Sequence, residues 1–66
     1  MLKVKFTYFD PDDPNKIYET ITGQFETWDA VYKFGESHAD ALMEFFDIPS
    51  VCWGYDTFEL QLKDLN

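Results

Sequence analysis

The fold is decided by residues 27–47, which read TWDAVYKFGESHADALMEFFD. On a helix of 3.6 residues per turn, the charged residues of this stretch fall in one stripe that is roughly 80° wide. The stripe consists of Asp29, Lys33, Glu36, Asp40, Glu44 and Asp47. The opposite side carries Trp28, Val31, Phe34, His38, Leu42, Phe45 and Phe46. A strand period of two does not separate the residues in this way, so the pattern predicts an amphipathic helix whose apolar face packs on a sheet.

The two ends of this helix carry recognisable signals, and its middle carries a weakness. Thr27 is a favourable N-cap, and Pro49 limits the far end because the residue before a proline avoids the helical region. Gly35 costs about 1 kcal/mol relative to alanine inside a helix. Either the helix is continuous and Gly35 sits against the sheet, or it breaks there and restarts with Ser37 as cap and Asp40 as capping partner. The charged stripe crosses both halves, which favours the continuous helix.

Two strands are expected before the helix. Residues 2–9 alternate between apolar and polar side chains, which predicts a half-buried strand. Its inward residues are Leu2, Val4, Phe6 and Tyr8. Residues 16–22 form the second predicted strand, with Ile17 and Ile21 pointing inward. The proline- and aspartate-rich residues 10–15 between them predict a hairpin loop.

Two further strands are expected after the helix. The sequence predicts a short strand at residues 51–53, a turn or bulge at residues 54–56, and a second alternating strand at residues 57–62. The inward residues of that last strand are Phe58, Leu60 and Leu62. The resulting order is ββαββ. The sequence therefore predicts a single α+β domain over residues 1–66, with one amphipathic helix packed on one face of a small antiparallel β-sheet.

The charge of the chain limits what it binds. Its 66 residues include 13 aspartates and glutamates against five lysines and no arginine, which gives a net charge of −8. Such a surface repels nucleic acid and anionic membrane, whereas proteins that bind nucleic acid directly carry a basic patch. We therefore expect neither direct nucleic-acid binding nor membrane binding. The partner that suits this charge is a basic protein surface.

Several features predict a cytoplasmic protein, in the host cell if the chain is phage-encoded. The N-terminus lacks the charged, apolar and small-residue segments of a signal peptide. No apolar run approaches the ~20 residues that a membrane-spanning helix needs. The single cysteine, Cys52, allows no internal disulfide.

Residues suited to catalysis or metal binding are scarce. His38 and Cys52 are the only histidine and cysteine, and each is more typical of packing than of a nucleophile pair. The loop residues Asp10, Asp12 and Asn15 lack the ligand spacing of a calcium-binding loop. The helix carboxylates are expected to be exposed, and exposed carboxylates make poor general acids. The sequence therefore predicts no enzymatic activity, no cofactor and no metal site.

The charged stripe itself suggests a function. Glu36, Asp40 and Glu44 are neighbours at i, i+4 spacing, where like charges destabilise a helix slightly. A row of carboxylates can occupy a groove that binds a nucleic-acid backbone. The leading hypothesis is therefore an inhibitor that mimics nucleic acid and occupies a DNA- or RNA-handling enzyme, as phage anti-restriction and anti-CRISPR proteins of similar size and charge do. The predicted binding residues are Asp29, Glu36, Asp40, Glu44 and Asp47, supported by Asp12 and Asp13.

An alternative hypothesis involves aromatic residues instead of charge. A core of this size does not easily hold all of the large aromatic side chains, and the candidates for an exposed patch are Tyr18, Trp53 and Tyr55. The protein would then be an interaction module, or a homodimer or subunit, that pairs through an edge strand or an exposed aromatic patch. The response to salt separates the two hypotheses, because only the charge-based interaction weakens steeply as salt rises.

Overall fold

A computed structural model of the chain describes residues 1–57. The described elements are strand β1 (Leu2–Asp10), strand β2 (Asp13–Phe25), helix α1 (Trp28–Phe46) and strand β3 (Cys52–Thr57). The strands form an antiparallel sheet in the order β2-β1-β3, and α1 packs on one of its faces. The predicted α+β class is confirmed. The predicted order ββαββ is wrong, because the described chain has the order ββαβ with three strands.

The segment after the helix is where the predicted order fails. The sequence predicted two short strands separated by a turn at residues 54–56, but β3 continues through those residues without interruption. Gly54 pairs with Thr7 of β1, and no glycine of the described residues has a positive φ. Gly54 is thus an ordinary strand residue, although glycine is more often found in turns. Residues 58–62 of the predicted last strand lie outside the described residues.

The core is centred on β1, which has a neighbouring strand on each side. The residues that are completely buried are Val4, Phe6, Tyr8 and Val31. The Phe6 ring contacts rings from every other element, with centroids 5.7 Å from Phe25, 5.1 Å from Phe34 and 6.0 Å from Trp53. Such tilted and edge-on contacts are the arrangements that aromatic pairs prefer. The alternation in residues 2–9 therefore predicted the buried face of β1 correctly.

A bulge in β2 changes which of its side chains face the helix. The register shifts between Tyr8 and Phe9, so that Phe9 pairs with Ile17 and leaves Tyr18 as the extra residue. A shift of one residue moves the following side chains to the other face. Ile17 consequently lies on the face opposite α1 and is 55% exposed. The prediction that it points inward is wrong, and Tyr18 turns toward the end of α1 instead.

The turn of the hairpin between β1 and β2 is shorter than the predicted loop of residues 10–15, because Asp10 pairs with Asp13 across Pro11 and Asp12. A second register shift, between Phe9 and Asp10, leaves residues 14–16 out of register with β1. The backbone N–H of Asp12 donates to Oδ1 of Asp10 at 2.8 Å, and this bond holds the pKa of Asp10 below its usual range. At its other end β2 continues beyond residue 22, and Phe25 pairs with the start of β1.

The helix begins as predicted and is continuous. The hydroxyl oxygen of Thr27 accepts a hydrogen bond from the Ala30 N–H at 3.1 Å, which is an N-cap. Gly35 is buried against β3, and a Cβ atom there would lie 2.4 Å from the Trp53 ring. The Tyr8 hydroxyl donates to the carbonyl oxygen of Gly35 at 3.1 Å. Of the two alternatives, the continuous helix with Gly35 against the sheet is confirmed.

The end of the helix has a defined geometry. Asp47 adopts the left-handed conformation with φ 55°, and its N–H points to the Glu44 carbonyl at 3.4 Å. The Ile48 N–H donates to the Met43 carbonyl at 3.0 Å. This pair of bonds is the Schellman motif, in which a glycine or asparagine usually occupies the left-handed position. No helix in the described part of the chain is long and apolar enough to cross a membrane.

Candidate functional site

The helix carboxylates predicted to bind a partner all lie at the surface. We call the set Asp29, Glu36, Asp40, Glu44 and Asp47 the acidic helix face. All five side chains are exposed, and the buried side of α1 is made by other residues. Asp29 forms an ion pair of 3.1 Å with Lys33, and both side chains are exposed, so the pair adds little stability. No other ion pair among the described residues involves this face.

The hairpin carboxylates extend this acidic surface beyond the end of the helix. Asp12 and Asp13 are exposed at the turn between β1 and β2. The Tyr18 hydroxyl donates to Oδ2 of Asp10 at 3.1 Å, while its ring centroid lies 5.3 Å from that of Phe46. Partial burial and this hydrogen bond raise the pKa of Tyr18. Tyr18 thus fixes the hairpin against the end of α1, at the same end of the molecule as the last carboxylates of the acidic helix face.

The charges at the end of α1 are unfavourable for the helix itself. The last turn contains no basic residue, and Glu44 and Asp47 lie at the negative end of the helix dipole. A carboxylate there costs about 0.3–1 kcal/mol at low salt, and the like-charged i, i+4 pairs add a few tenths. The stability of the helix therefore does not account for the acidic helix face.

The opposite side of the molecule has a different charge. Lys3 and Lys5 alternate with the buried residues of β1 and therefore lie on the open face of the sheet, away from α1. The cross-strand partner of Lys5 in β3 is Asp56, an opposite charge. The open face thus mixes both signs, whereas the acidic helix face carries five carboxylates beside one lysine. The negative charge is concentrated on one side.

An exposed aromatic cluster lies where the first half of α1 meets β3. We call Trp28, Tyr32 and Tyr55 the aromatic edge cluster; all three side chains are exposed. The Tyr32 and Tyr55 hydroxyls are hydrogen-bonded at 2.7 Å, which raises the pKa of Tyr55. The Tyr55 ring centroid lies 5.9 Å from Trp28 and 5.7 Å from Tyr32. This cluster borders β3, which is an edge strand of the described sheet.

The three aromatic residues predicted from the sequence as an alternative patch do not form one surface. Tyr55 is exposed in the aromatic edge cluster, but Trp53 is partly buried over Gly35. Tyr18 packs at the other end of α1. The patch predicted from the sequence did not include Trp28 and Tyr32, although the four-residue spacing of these two aromatics on a helix is the signal that could have placed them together.

A second exposed aromatic feature occupies the last turn of α1. We call Phe45 and Phe46 the phenylalanine pair; their rings meet edge to face with centroids 5.0 Å apart. Phe45 is 79% exposed, so its placement on the buried side of the helix is wrong. Phe45 lies on the same side of α1 as His38, two turns further along. The β2 bulge turns Ile17 away from the helix, which leaves this part of the apolar stripe without cover from that residue.

His38 and Cys52 lie on opposite sides of the sheet. The ring of His38 stacks on Phe34 with the planes 7° apart, and its Nε2 lies 2.6 Å from Oε1 of Glu19. Cys52 pairs with Phe9, whose side chain points away from the helix. The two residues therefore cannot form a nucleophile pair. His38 joins α1 to β2 through Glu19, and this is a structural contact.

The described residues contain no group of three or more histidine, cysteine, aspartate or glutamate side chains that could hold a metal ion. No protein-family model, curated protein or solved structure matches the chain. Its function is therefore inferred from the chemistry of its surfaces.

Proposed function

We propose that this protein is a non-enzymatic inhibitor that occupies the basic surface of a DNA- or RNA-handling protein in place of the nucleic-acid backbone. The main observation behind the proposal is the acidic helix face, where four exposed carboxylates follow one side of a single 19-residue helix and the fifth, Asp47, lies at the residue that ends it. A rigid helix holds these charges in fixed positions, so a partner meets them as an ordered row. The exposed hairpin carboxylates Asp12 and Asp13 lie at the same end of the molecule as the end of α1 and add to its negative charge.

The spacing of the carboxylates suits a surface that binds phosphates. Glu36, Asp40 and Glu44 are successive i, i+4 neighbours, about 6 Å apart along the helix axis. This spacing is of the same order as that of phosphates along a nucleic-acid strand. Lysine and arginine side chains that bind phosphate also bind carboxylate, and arginine does so with two parallel hydrogen bonds. The basic side chains of such a groove can therefore bind these carboxylates with the same donors that bind phosphates.

The cost of the acidic helix face to the fold supports a role in binding. The carboxylates repel one another along the helix, and the last two lie at the unfavourable end of its dipole. Residues of mixed charge would keep the same face soluble without this cost. A local arrangement that opposes stability is expected at sites that serve function.

The proposal is tested by capturing partners from bacterial lysate with the immobilised 66-residue chain at low and moderate salt. We expect a nucleic-acid-binding protein to be captured at low salt and released as salt rises, because the contacts are electrostatic. The variant Glu36→Gln with Glu44→Gln should lose this capture. A matched control, Glu26→Gln with Asp56→Asn, changes the net charge by the same amount away from the acidic helix face and should retain it.

Equal capture by both double variants would mean that the position of the charges does not matter, and the proposal would fail. Nucleic-acid competitors give an independent check. DNA or RNA that fills the partner's groove should displace the captured protein, whereas a competitor that binds elsewhere should not.

A second candidate function is favoured by the aromatic edge cluster. Exposed aromatic side chains beside an edge strand, as β3 is in the described sheet, are typical of surfaces that pair with another chain or with a second copy. In that case the same capture experiment would give a different result. The partner would be retained at moderate salt, the charge variants would behave like the wild type, and Tyr32→Ser with Tyr55→Ser would abolish capture or dimer formation.

A further inference from the structure

The phenylalanine pair is an apolar feature that packing within the described fold leaves exposed to solvent. Phe45 is 79% exposed and Phe46 is 42% exposed, although both belong to an ordered helix that buries other apolar residues. Each large aromatic side chain gains stabilisation when it is removed from water. An edge-to-face pair held at the end of a helix has little freedom to lose on binding, which makes it a favourable anchor for a partner's pocket.

The charges around the phenylalanine pair indicate which occupant fits. Glu44 precedes the pair and Asp47 follows it, and the exposed carboxylates of Asp12 and Asp13 lie at the same end of the molecule. Two copies of this chain that met through their phenylalanine pairs would bring these carboxylates together, which repels them. The charge therefore disfavours a second copy. It favours a different protein whose apolar pocket has lysine and arginine around it.

We propose that the phenylalanine pair takes the place of unstacked bases in a protein that binds single-stranded nucleic acid. This inference rests on the proposed function, since it extends the mimicry from phosphates to bases. Proteins that bind single strands combine a basic groove that follows the phosphates with aromatic side chains on which the bases stack. Glu44 and Phe45 point about 100° apart around the helix, so the end of α1 presents the same two chemistries, negative charge and a flat aromatic surface, on adjacent sides. The partner is thus a protein with base-stacking pockets along its phosphate-binding groove.

A protein that binds only the outer surface of a duplex would have no pockets for these rings. In a duplex the bases stack on one another inside the helix, and the phosphates form the outer surface. A mimic of that surface needs carboxylates but no exposed aromatic anchor. In a single strand the bases turn outward beside the phosphates and are available to the protein. The 79% exposed ring of Phe45 beside Glu44 corresponds to this second arrangement.

The experiment captures the partner from bacterial lysate with the full chain and then adds either oligothymidylate or duplex DNA at equal phosphate concentration. We expect oligothymidylate to release the partner at a concentration where the duplex does not. Phe45→Ser should weaken capture by about tenfold or more, as expected for an anchor residue. Phe45→Leu should be intermediate, because leucine keeps the apolar contact and loses the stacking. The matched control Ile17→Ser changes another exposed apolar residue, which lies on the open sheet face, and should have no effect.

Phe45→Ser and Ile17→Ser should both remain folded, because the two side chains are exposed, and circular dichroism checks this. Equal capture by Phe45→Ser and wild type, or equal release by duplex and single strand, would overturn the inference. If, in that case, the double variant Glu36→Gln with Glu44→Gln still lost capture, the proposed function would stand and only the inference about the phenylalanine pair would fail. Dimerisation of the wild type that Phe45→Ser abolishes would assign the pair to self-association and overturn the inference. The absence of any captured protein would count against both proposals.

Discussion

At the scale of single residues, Gly35 determines how closely the helix approaches the sheet. The residue has no side chain, and the Trp53 ring occupies the space that a Cβ atom would need, with three ring atoms within 2.8 Å. The same close approach lets the Tyr8 hydroxyl reach the Gly35 carbonyl. The cost of glycine inside a helix, about 1 kcal/mol, is thus offset by packing that no other residue allows.

We therefore expect Gly35→Ala to destabilise the protein by a net of about 1–2 kcal/mol, because overpacking the contact with Trp53 outweighs the gain in helix propensity. Urea unfolding followed by circular dichroism measures the change, and near-ultraviolet spectra report the displacement of Trp53. Ser37→Ala is the matched control, since it improves helix propensity at an exposed position and should stabilise slightly. A Gly35→Ala variant as stable as the wild type would show that Trp53 moves aside without cost.

At the scale of elements, the sequence predicted the features that follow from periodicity within one segment. It did not predict the register of β2, which depends on the neighbouring strand. The helix bounds, the Thr27 cap and the buried face of β1 follow from local periodicity and capping chemistry. The β2 bulge does not, because the register of a strand is defined only against its neighbour. That one shift moved Ile17 to the face of the sheet away from the helix. The exposure of the acidic helix face could be predicted, whereas that of the phenylalanine pair could not.

The end of α1 allows a prediction about this element. Asp47 holds a left-handed conformation that asparagine and glycine tolerate better, and its charge lies at the negative end of the dipole. Asp47→Asn should stabilise the protein by about 0.5–1 kcal/mol at low salt, since it improves both features. Part of this gain should disappear at high salt, where the charge is screened.

Asp47→Ala separates the two causes. Alanine removes the charge but adopts the left-handed conformation less readily, so this variant should be less stable than Asp47→Asn by about 1 kcal/mol. Urea unfolding of both variants at two salt concentrations gives the comparison. If the two substitutions proved equally stabilising, the backbone conformation would contribute nothing and only the charge would matter.

At the scale of the whole molecule, a small aromatic core is joined to a strongly acidic surface. A domain of this size buries little more than half of its unfolded surface, so each core contact is a large share of its stability. Among the described residues, the completely buried core contains one ionisable group, the Tyr8 hydroxyl. Burial and the nearby Glu19 carboxylate raise the pKa of Tyr8 to about 12. The packing of the core therefore sets an alkaline limit to the stability of the molecule.

The free energy of unfolding should remain nearly constant from neutral pH to about pH 10 and then fall as the pH approaches 12. A tyrosine whose pKa is higher in the folded state than in the unfolded state binds its proton more tightly when folded. Its contribution is complete below the unfolded pKa of about 10 and is lost as the pH rises through the folded value of about 12. The raised pKa values of Tyr18 and Tyr55 act in the same direction. Urea unfolding across this pH range measures the decline.

Tyr8→Phe isolates the contribution of the buried hydroxyl. The variant loses the hydrogen bond to the Gly35 carbonyl and should be less stable than the wild type by about 1 kcal/mol at neutral pH. It has no proton to lose at this position, so its stability should decline less steeply between pH 10 and 12. The surface charge becomes more negative in both proteins over this range, and that effect cancels in the comparison. If the stabilities of the wild type and Tyr8→Phe declined in parallel, repulsion between surface charges, and not ionisation of the buried Tyr8, would cause the loss of stability at alkaline pH.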